Sequence, residues 1–188
     1  TYQKTVRTGD IGSAYNSTLL VTPDNVDIYV RLEQGLIQPP RGSIFRVNKA
    51  MNGLPPSGHQ FYNELSSEIT AFGFKRSLID ASLYIKTYPD GHYDYIAIYV
   101  DDLITSFSYD TDYTSFAEHM RKRFTYKEFD GDFAYLSLHI TQLPDFSITV
   151  DQRALAENII ELSKMETCTP IGSPVSPSHA GISSQDGD

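Results

Sequence analysis

Residues 93–107 read YDYIAIYVDDLITSF, two apolar and β-branched runs on either side of a pair of acidic residues. The first run, Tyr93 to Val100, and the second, Leu103 to Phe107, each have the length and composition of a strand. Asp101 and Asp102 lie between them, and acidic residues favour a chain reversal. The stretch therefore predicts a β-hairpin that carries two carboxylates at its bend.

The segments around this hairpin predict further strands and helices. Before it we expect three strands, at Thr5–Ile11, Asp27–Leu32 and Ser82–Tyr88. We also expect a helix at Ser57–Phe72 that ends at Gly73. A loop is expected at 39–42 and a turn at 89–91. After it we expect a helix at Asp112–Phe124, strands at Phe133–Ile140 and Phe146–Val150, and a helix at Arg153–Ser163 with Leu155, Ile159 and Leu162 pointing inward. The succession strand, helix, strand–turn–strand, helix, strand predicts an α+β fold of the ferredoxin-like, split β-α-β type.

The composition is that of a soluble globular domain. The chain has 188 residues, of which 40% are hydrophobic, enough for the core of one domain with at most a short appendage. No apolar run approaches the roughly 20 residues of a membrane helix. The single cysteine, Cys168, excludes a disulfide framework, a zinc ribbon or an iron–sulfur cluster built from this chain alone, and the five histidines show no metal-ligand spacing.

The net charge of -9 lies entirely in the second half of the chain. Residues 1–99 hold 9 basic and 9 acidic residues, whereas residues 100–188 hold 6 and 15. Nucleic-acid binders usually show the opposite sign, because Lys and Arg make the phosphate contacts. The charge therefore argues against avid nucleic-acid binding by this chain alone.

A third carboxylate is expected near the hairpin bend. Asp10 ends the first predicted strand, which could lie beside the hairpin in a four-stranded sheet. If Asp10, Asp101 and Asp102 converge there, they would hold two Mg²⁺ ions for in-line phosphoryl transfer. The alternative is that the Asp pair is simply favourable turn chemistry.

Several motifs resemble those of reverse transcriptases, in order and in spacing. Tyr99-Val100-Asp101-Asp102 resembles their Tyr-x-Asp-Asp signature, and Asp10–Tyr15 resembles their first catalytic motif, an Asp followed five residues later by an aromatic residue. Residues 47–58 are similar to the Lys-Ala-Leu-Tyr-Gly-Leu-x-Gln-Ser segment of copia-type (Ty1/copia) retrotransposon polymerases. The resemblance continues at Phe61-Tyr62, Gly73-Phe74, Asp80–Tyr84, Ile96–Leu103 and Met165–Pro170.

The resemblance implies the palm of an RNA- or DNA-templated DNA polymerase at residues 1–150, a thumb-like connecting helix at 151–169 and a flexible tail at 170–188. It makes Asp10, Asp101 and, less centrally, Asp102 the catalytic residues and the ligands of two divalent cations, Mg²⁺ or Mn²⁺. Tyr15 would stack under the sugar of the incoming dNTP, with position 56 and Tyr99 also in the nucleotide site. The implied partner is an RNA or DNA primer-template, without membrane insertion, in the cytoplasm or the nucleus.

Four positions depart from the family pattern. Pro56 replaces the nucleotide-contacting Gln and offers neither a side-chain amide nor a backbone N–H. Asn52 replaces an aromatic residue, Ser137 a glycine and Asn16 a leucine. Together they suggest that the nucleotide pocket and the primer contacts are no longer maintained.

The ends of the chain suggest a fragment or a processed product. It begins at Thr1 without an initiator Met, and only nine residues precede Asp10, so the basic fingers segment is expected to be largely missing. No RNase H, integrase or protease domain is expected. Two further interpretations stay open: a captured palm, impaired in catalysis, that binds protein partners in a larger assembly, and a metal-dependent phosphotransfer domain unrelated to polymerases, which would not explain the ordered motifs.

Overall fold

The computed structural model describes residues 3–12, 14–15, 18–21, 26–31, 42–51, 53–169 and 172. Within them the chain forms eleven strands and three helices, a mixed α/β architecture. The strands are β1 (Thr5–Gly12), β2 (Tyr29–Val30), β3 (Phe45–Arg46), β4 (Lys75–Arg76), β5 (Leu83–Thr87), β6 (Tyr93–Tyr99), β7 (Asp102–Phe107), β8 (Thr125–Asp130), β9 (Asp132–Tyr135), β10 (Leu138–Gln142) and β11 (Ile148–Asp151). The helices are α1 (Pro55–Ala71), α2 (Asp110–Arg123) and α3 (Arg153–Leu162).

Six strands form one sheet, in the order β4-β5-β6-β7-β1-β8. All neighbouring strands in it are antiparallel. The predicted hairpin is confirmed as β6 and β7, and the first strand of the chain, β1, lies beside it. β1 therefore lies between two strands that come much later in the sequence.

Helices α1 and α2 cover one face of this sheet. Their apolar residues recur every three or four positions, so each helix presents one buried stripe. The stripe of α1 consists of Phe61, Leu65 and Ile69, and that of α2 includes Phe116 and Met120. These side chains pack on the alternating inward residues of β6 and β7 to form the main core. Burying each one contributes about 1.5–3 kcal/mol.

The opposite face of the sheet is partly covered by β9 and β10. Phe133 and Ile140 from these strands pack on Val6 of β1 in a second, smaller apolar cluster. The side-chain amide of Gln142 reinforces the contact: its oxygen accepts the Val6 N–H at 2.9 Å, and its nitrogen donates to the Lys4 carbonyl at 2.8 Å. Within the described part of the chain this cluster does not reach the other end of β1, where Asp10 is partly exposed.

The strands that follow α2 differ from the predicted ones. The expected strand Phe133–Ile140 is two strands, β9 and β10, joined by a turn in which Leu136 has a φ of 56°. The strand that follows α2 and joins the main sheet is β8, which was not predicted. The predicted helices Ser57–Phe72 and Asp112–Phe124 are confirmed as α1 and α2, with starts two residues earlier.

The chain divides into two units, Thr1–Asp151 and Gln152–Asp188, and α3 belongs to the second. The helix lies where it was predicted, but Leu155, Ile159 and Leu162 are exposed, so the expectation that they point inward is wrong. The predicted tail at 170–188, apart from Gly172, lies outside the described residues, as do Asn16, Asn52 and positions 39–41. Among the described residues, no helix combines the length and the apolar character of a membrane span.

Candidate active site

Asp10 lies directly opposite Asp102 on the antiparallel strands β1 and β7. Residues paired in this way point to the same face of the sheet, with Cβ atoms about 5 Å apart. On its other side Asp10 is paired with Lys127 of β8. Because the next residue, Ile11, points into the core beneath the helices, this row of three charges lies on the opposite, open face.

The turn between β6 and β7 positions Asp101. Only Val100 and Asp101 separate the last paired residues of the two strands, and Val100 has a φ of 57°. A β-branched residue rarely takes this left-handed conformation, which costs about 1–3 kcal/mol, so other contacts must hold the turn. In one of them the Ile11 N–H donates to the Asp101 carbonyl at 3.1 Å. This hydrogen bond ties the turn to the strand that carries Asp10.

The three carboxylates interact electrostatically. Burial raises the pKa of Asp102, and the negative charges of Asp101 and Asp10 raise it further. A divalent cation bound among them would relieve this repulsion, and carboxylate oxygens are ligands that Mg²⁺ and Mn²⁺ prefer. The donor set therefore fits a divalent-cation site.

A cleft of about 600 Å³ opens beside Asp101. This volume is typical of a small-molecule site. The ring of Tyr15 forms part of its wall and packs on Phe61, with ring centroids 5.7 Å apart and planes tilted by 55°. The cleft therefore joins the candidate sugar-stacking residue to a candidate metal ligand. Its full lining is Tyr15, Met51, Gly53, Leu54, Pro55, Ser57, Gly58 and Asp101.

The start of α1 forms another wall of the cleft. Pro55 and Pro56 occupy its first turn, where proline is tolerated because those N–H groups have no partner within a helix. The two prolines also remove donors that a helix start otherwise offers to a phosphate group. Ser57 is buried, and its Oγ accepts the Met51 N–H at 3.1 Å. Pro56, the altered family position, is partly buried and does not line the cleft.

The ends of two hairpins lie close to the carboxylates. Tyr99 is exposed at the end of β6 and is paired with Asp102. Ser137, which stands where the family pattern has a glycine, forms the β9–β10 turn together with Leu136. Burial raises the pKa of Tyr135, and the nearby charge of Asp102 raises it further. Tyr135 was not predicted as a site residue, because only the packing of β9 brings it towards Asp102.

A second group of ionisable side chains lies at the other end of β6. His92 and Asp94 are buried there beside Asp112 of α2. The sequence shows no metal-ligand spacing around His92, because Asp112 comes from a later helix that only the fold brings near. The sequence does contain one indication of this group. Asp94 lies two residues before Ile96 and four before Ile98, so on a strand it points to the same buried side as they do.

Comparisons with known proteins show the family of the chain. A family model described as reverse transcriptase (RNA-dependent DNA polymerase) matches residues 1–177. The chain is also similar to two Arabidopsis thaliana proteins, the Retrovirus-related Pol polyproteins from transposons RE1 and RE2, with 24% and 22% identity over 174 residues. Each alignment covers 92% of this chain and 12% of the relative, so the chain spans about an eighth of those polyproteins.

The family match and the relatives agree with the motifs that surround Asp10, Asp101 and Asp102. The match spans most of the chain, from before Asp10 to beyond α3. The relatives are transposon polyproteins, which agrees with the resemblance of residues 47–58 to copia-type polymerases. The chain therefore belongs to the reverse transcriptase (RNA-dependent DNA polymerase) family, as a copia-type reverse-transcriptase domain.

Proposed function

We propose that this domain is the palm of a template-directed DNA polymerase and that Asp10 and Asp101, assisted by Asp102, bind its two divalent cations. The observation that carries the proposal is the pairing of Asp10 with Asp102, next to a turn whose Asp101 is held against β1 by a main-chain hydrogen bond. The charges of Asp101 and Asp10 both act on Asp102, and Asp101 lines the cleft, which supports the proposal that the three carboxylates form one site. Family membership favours this function over a captured protein-binding subunit.

The sheet topology supports the palm assignment. Strands β1, β6, β7 and β8 with helices α1 and α2 follow the order strand, helix, strand–turn–strand, helix, strand. Their spatial order is β6-β7-β1-β8, with β1 between β7 and β8. This order agrees with the ferredoxin-like, split β-α-β fold that we propose for the palm, with β8 as its last strand in place of the predicted strand Phe133–Ile140. The helices cover one face and leave the acidic end of the other face open for nucleic acid.

Reverse transcriptases typically use divalent metal ions, and Mg²⁺ or Mn²⁺ is the cofactor we propose here. Such ions neutralise the triphosphate and activate the primer 3′-hydroxyl for in-line attack. In this chain Asp10 of β1 and Asp101 of the β6–β7 turn would supply the oxygen ligands. Asp102, which lies in register opposite Asp10, would assist them.

The cleft beside Asp101 is the proposed binding site for the dNTP. Tyr15, supported by Phe61, would lie under the sugar and exclude a 2′-hydroxyl by its volume. Pro56 does not line the cleft, but Pro55 beside it does, and neither proline offers an N–H to a phosphate group there. We therefore expect the metal ligands to be intact and the nucleotide affinity to be weakened.

The proposal is tested by cation binding and by primer extension. Mn²⁺ binding, followed by electron paramagnetic resonance, should weaken at least about tenfold in Asp10→Asn and in Asp101→Asn. Mg²⁺-dependent extension of an RNA-templated primer should fall to background in Asp101→Asn. Glu118→Gln, which removes the same charge from an exposed position of α2, should change neither quantity. Equal incorporation by Asp101→Asn and the parent protein would refute the assignment.

A further inference from the structure

Asp94 is a fully buried carboxylate at the end of β6 that is remote from the Asp101 turn. Its Oδ1 accepts the Ser108 N–H at 2.8 Å and lies 3.9 Å from the Lys4 ammonium group. Its Oδ2 is buried, and the buried hydroxyl of Tyr88 is a hydrogen-bond partner of this carboxylate. A carboxylate buried this deeply needs polar or cationic partners, and a bound cation would be one of them.

Two further ligand groups converge on Asp94. The imidazole of His92 is 5% exposed and is stacked on Tyr88, with ring centroids 3.9 Å apart. Its Nδ1 pairs with the Asp90 carboxylate, and its Nε2 faces Asp112 Oδ2 at 3.9 Å. One ligand atom from each of His92, Asp94 and Asp112 lies within 4.8 Å of the other two.

We propose that His92, Asp94 and Asp112 form a second metal site, which binds a divalent transition-metal cation such as Zn²⁺. One imidazole nitrogen and two carboxylates are ligands that Zn²⁺ accepts, and water would complete a four-coordinate site. Neighbouring ligand atoms around a tetrahedral Zn²⁺ are about 3.4 Å apart, so a small inward movement closes the site. Asp112 can supply that movement, because its side chain is 33% exposed.

The surroundings of His92 have the features of a metal ligand. A metal-bound histidine usually donates its other ring N–H to a carboxylate, which fixes the tautomer and directs the free nitrogen at the metal. Asp90 is placed to accept from Nδ1 in this way. Stacking between Tyr88 and the edge of Tyr109 limits the rotation of the ring. The imidazole is therefore preorganised with Nε2 towards the two carboxylates.

The site can be tested without interference from the polymerase carboxylates. In the Asp10→Asn/Asp101→Asn double variant of the full chain, titration calorimetry should show one Zn²⁺ per chain. Co²⁺ should give the strong visible absorption of a four-coordinate site. At about a hundred times its Kd, Zn²⁺ should raise Tm by about 5–10 °C.

Two substitutions assign the ligands. Asp112→Asn and His92→Gln, made in the same double variant, should each weaken Zn²⁺ binding at least about tenfold. The matched control is Asp110→Asn, because Asp110 lies in the same turn of α2 but pairs with Arg7 at 2.7 Å, and it should leave the affinity unchanged. The proposal is overturned if Zn²⁺ leaves Tm unchanged and Co²⁺ shows only the spectrum of the hydrated ion. Equal Zn²⁺ affinity in Asp112→Asn and the double variant would overturn it as well.

Discussion

Asp10 and Asp102 face each other across β1 and β7, so two like charges occupy neighbouring positions on one surface of the sheet. Like charges placed directly opposite in an antiparallel pair destabilise the fold. A cation bound between the carboxylates, or protonation of Asp102, removes this repulsion. This pairing therefore couples the stability of the domain to metal binding and to pH.

Replacing Asp102 by Asn should stabilise the metal-free protein at pH 7. The pKa of Asp102 is raised in the folded state, so its contribution to stability is present below the ordinary Asp pKa and is lost as the pH rises through the raised value. We expect the free energy of unfolding of Asp102→Asn in a chelating buffer to exceed that of the parent by about 0.2–1 kcal/mol. Below about pH 4 the two proteins should be equally stable. Urea unfolding at both pH values measures the difference.

Mg²⁺ should make the parent protein more stable than Asp102→Asn, the reverse of their order in chelator. It should stabilise the parent more than Asp102→Asn, because the variant has lost one ligand. The exposed-charge control Glu118→Gln should respond to Mg²⁺ as the parent does. A parent that is more stable than Asp102→Asn in chelator at pH 7 would contradict the proposed repulsion.

Replacing Val100 by Gly should relieve the strain of the β6–β7 turn. Valine at a φ of 57° has a conformational cost that glycine avoids, and the residue is 48% exposed, so little packing is lost. The unfolded chain gains entropy from glycine, which offsets part of this effect. We therefore expect the free energy of unfolding to rise by about 0.5–1 kcal/mol. Urea unfolding measures it, with Val100→Ala as the matched control, since alanine keeps the positive φ. If both variants lose stability equally, the turn is not strained.

Replacing Gly9 by Ala should disturb β1 next to Asp10. A Cβ at position 9 would approach Tyr126 Oη to 2.3 Å, far inside contact distance. We expect a loss of about 1–3 kcal/mol, because the ring of Tyr126 is enclosed in the core. Gly12→Ala is the control on the same strand: its nearest neighbour, Thr125 Cγ2, is 3.3 Å away, and its effect should stay within about 0.5 kcal/mol. Similar Tm values for the two variants would show that β1 shifts without cost.

Local patterns predicted the elements that carry the three carboxylates. The β6–β7 hairpin follows from two β-branched runs around an acidic pair, and α1 follows from an apolar stripe that ends at Gly73. These signals are strong because they are repeated over many residues. The sequence predicted that the strand ending at Asp10 could lie beside the hairpin. In the structure Asp10 lies directly opposite Asp102.

The features that sequence could not predict depend on contacts between distant segments. In β8 only Tyr126 is buried, so the strand has no apolar alternation to mark it. The break between β9 and β10 falls at Leu136, a residue that does not favour a positive φ. In α3 the amphipathic pattern predicted the helix correctly, but such a pattern cannot specify what covers its apolar side.

The main-chain hydrogen bond from Ile11 to Asp101 has a consequence for how this domain can vary. It sets the distance between the backbones that carry Asp10 and Asp101, the two proposed metal ligands. The side-chain rotamers of these residues then adjust only the final positions of the carboxylates. The cleft wall at the start of α1 can therefore change in sequence without altering the backbone distance between the ligands, as long as the buried stripe of α1 is kept. Specificity for template and nucleotide can diverge among such domains while the acidic centre keeps its geometry.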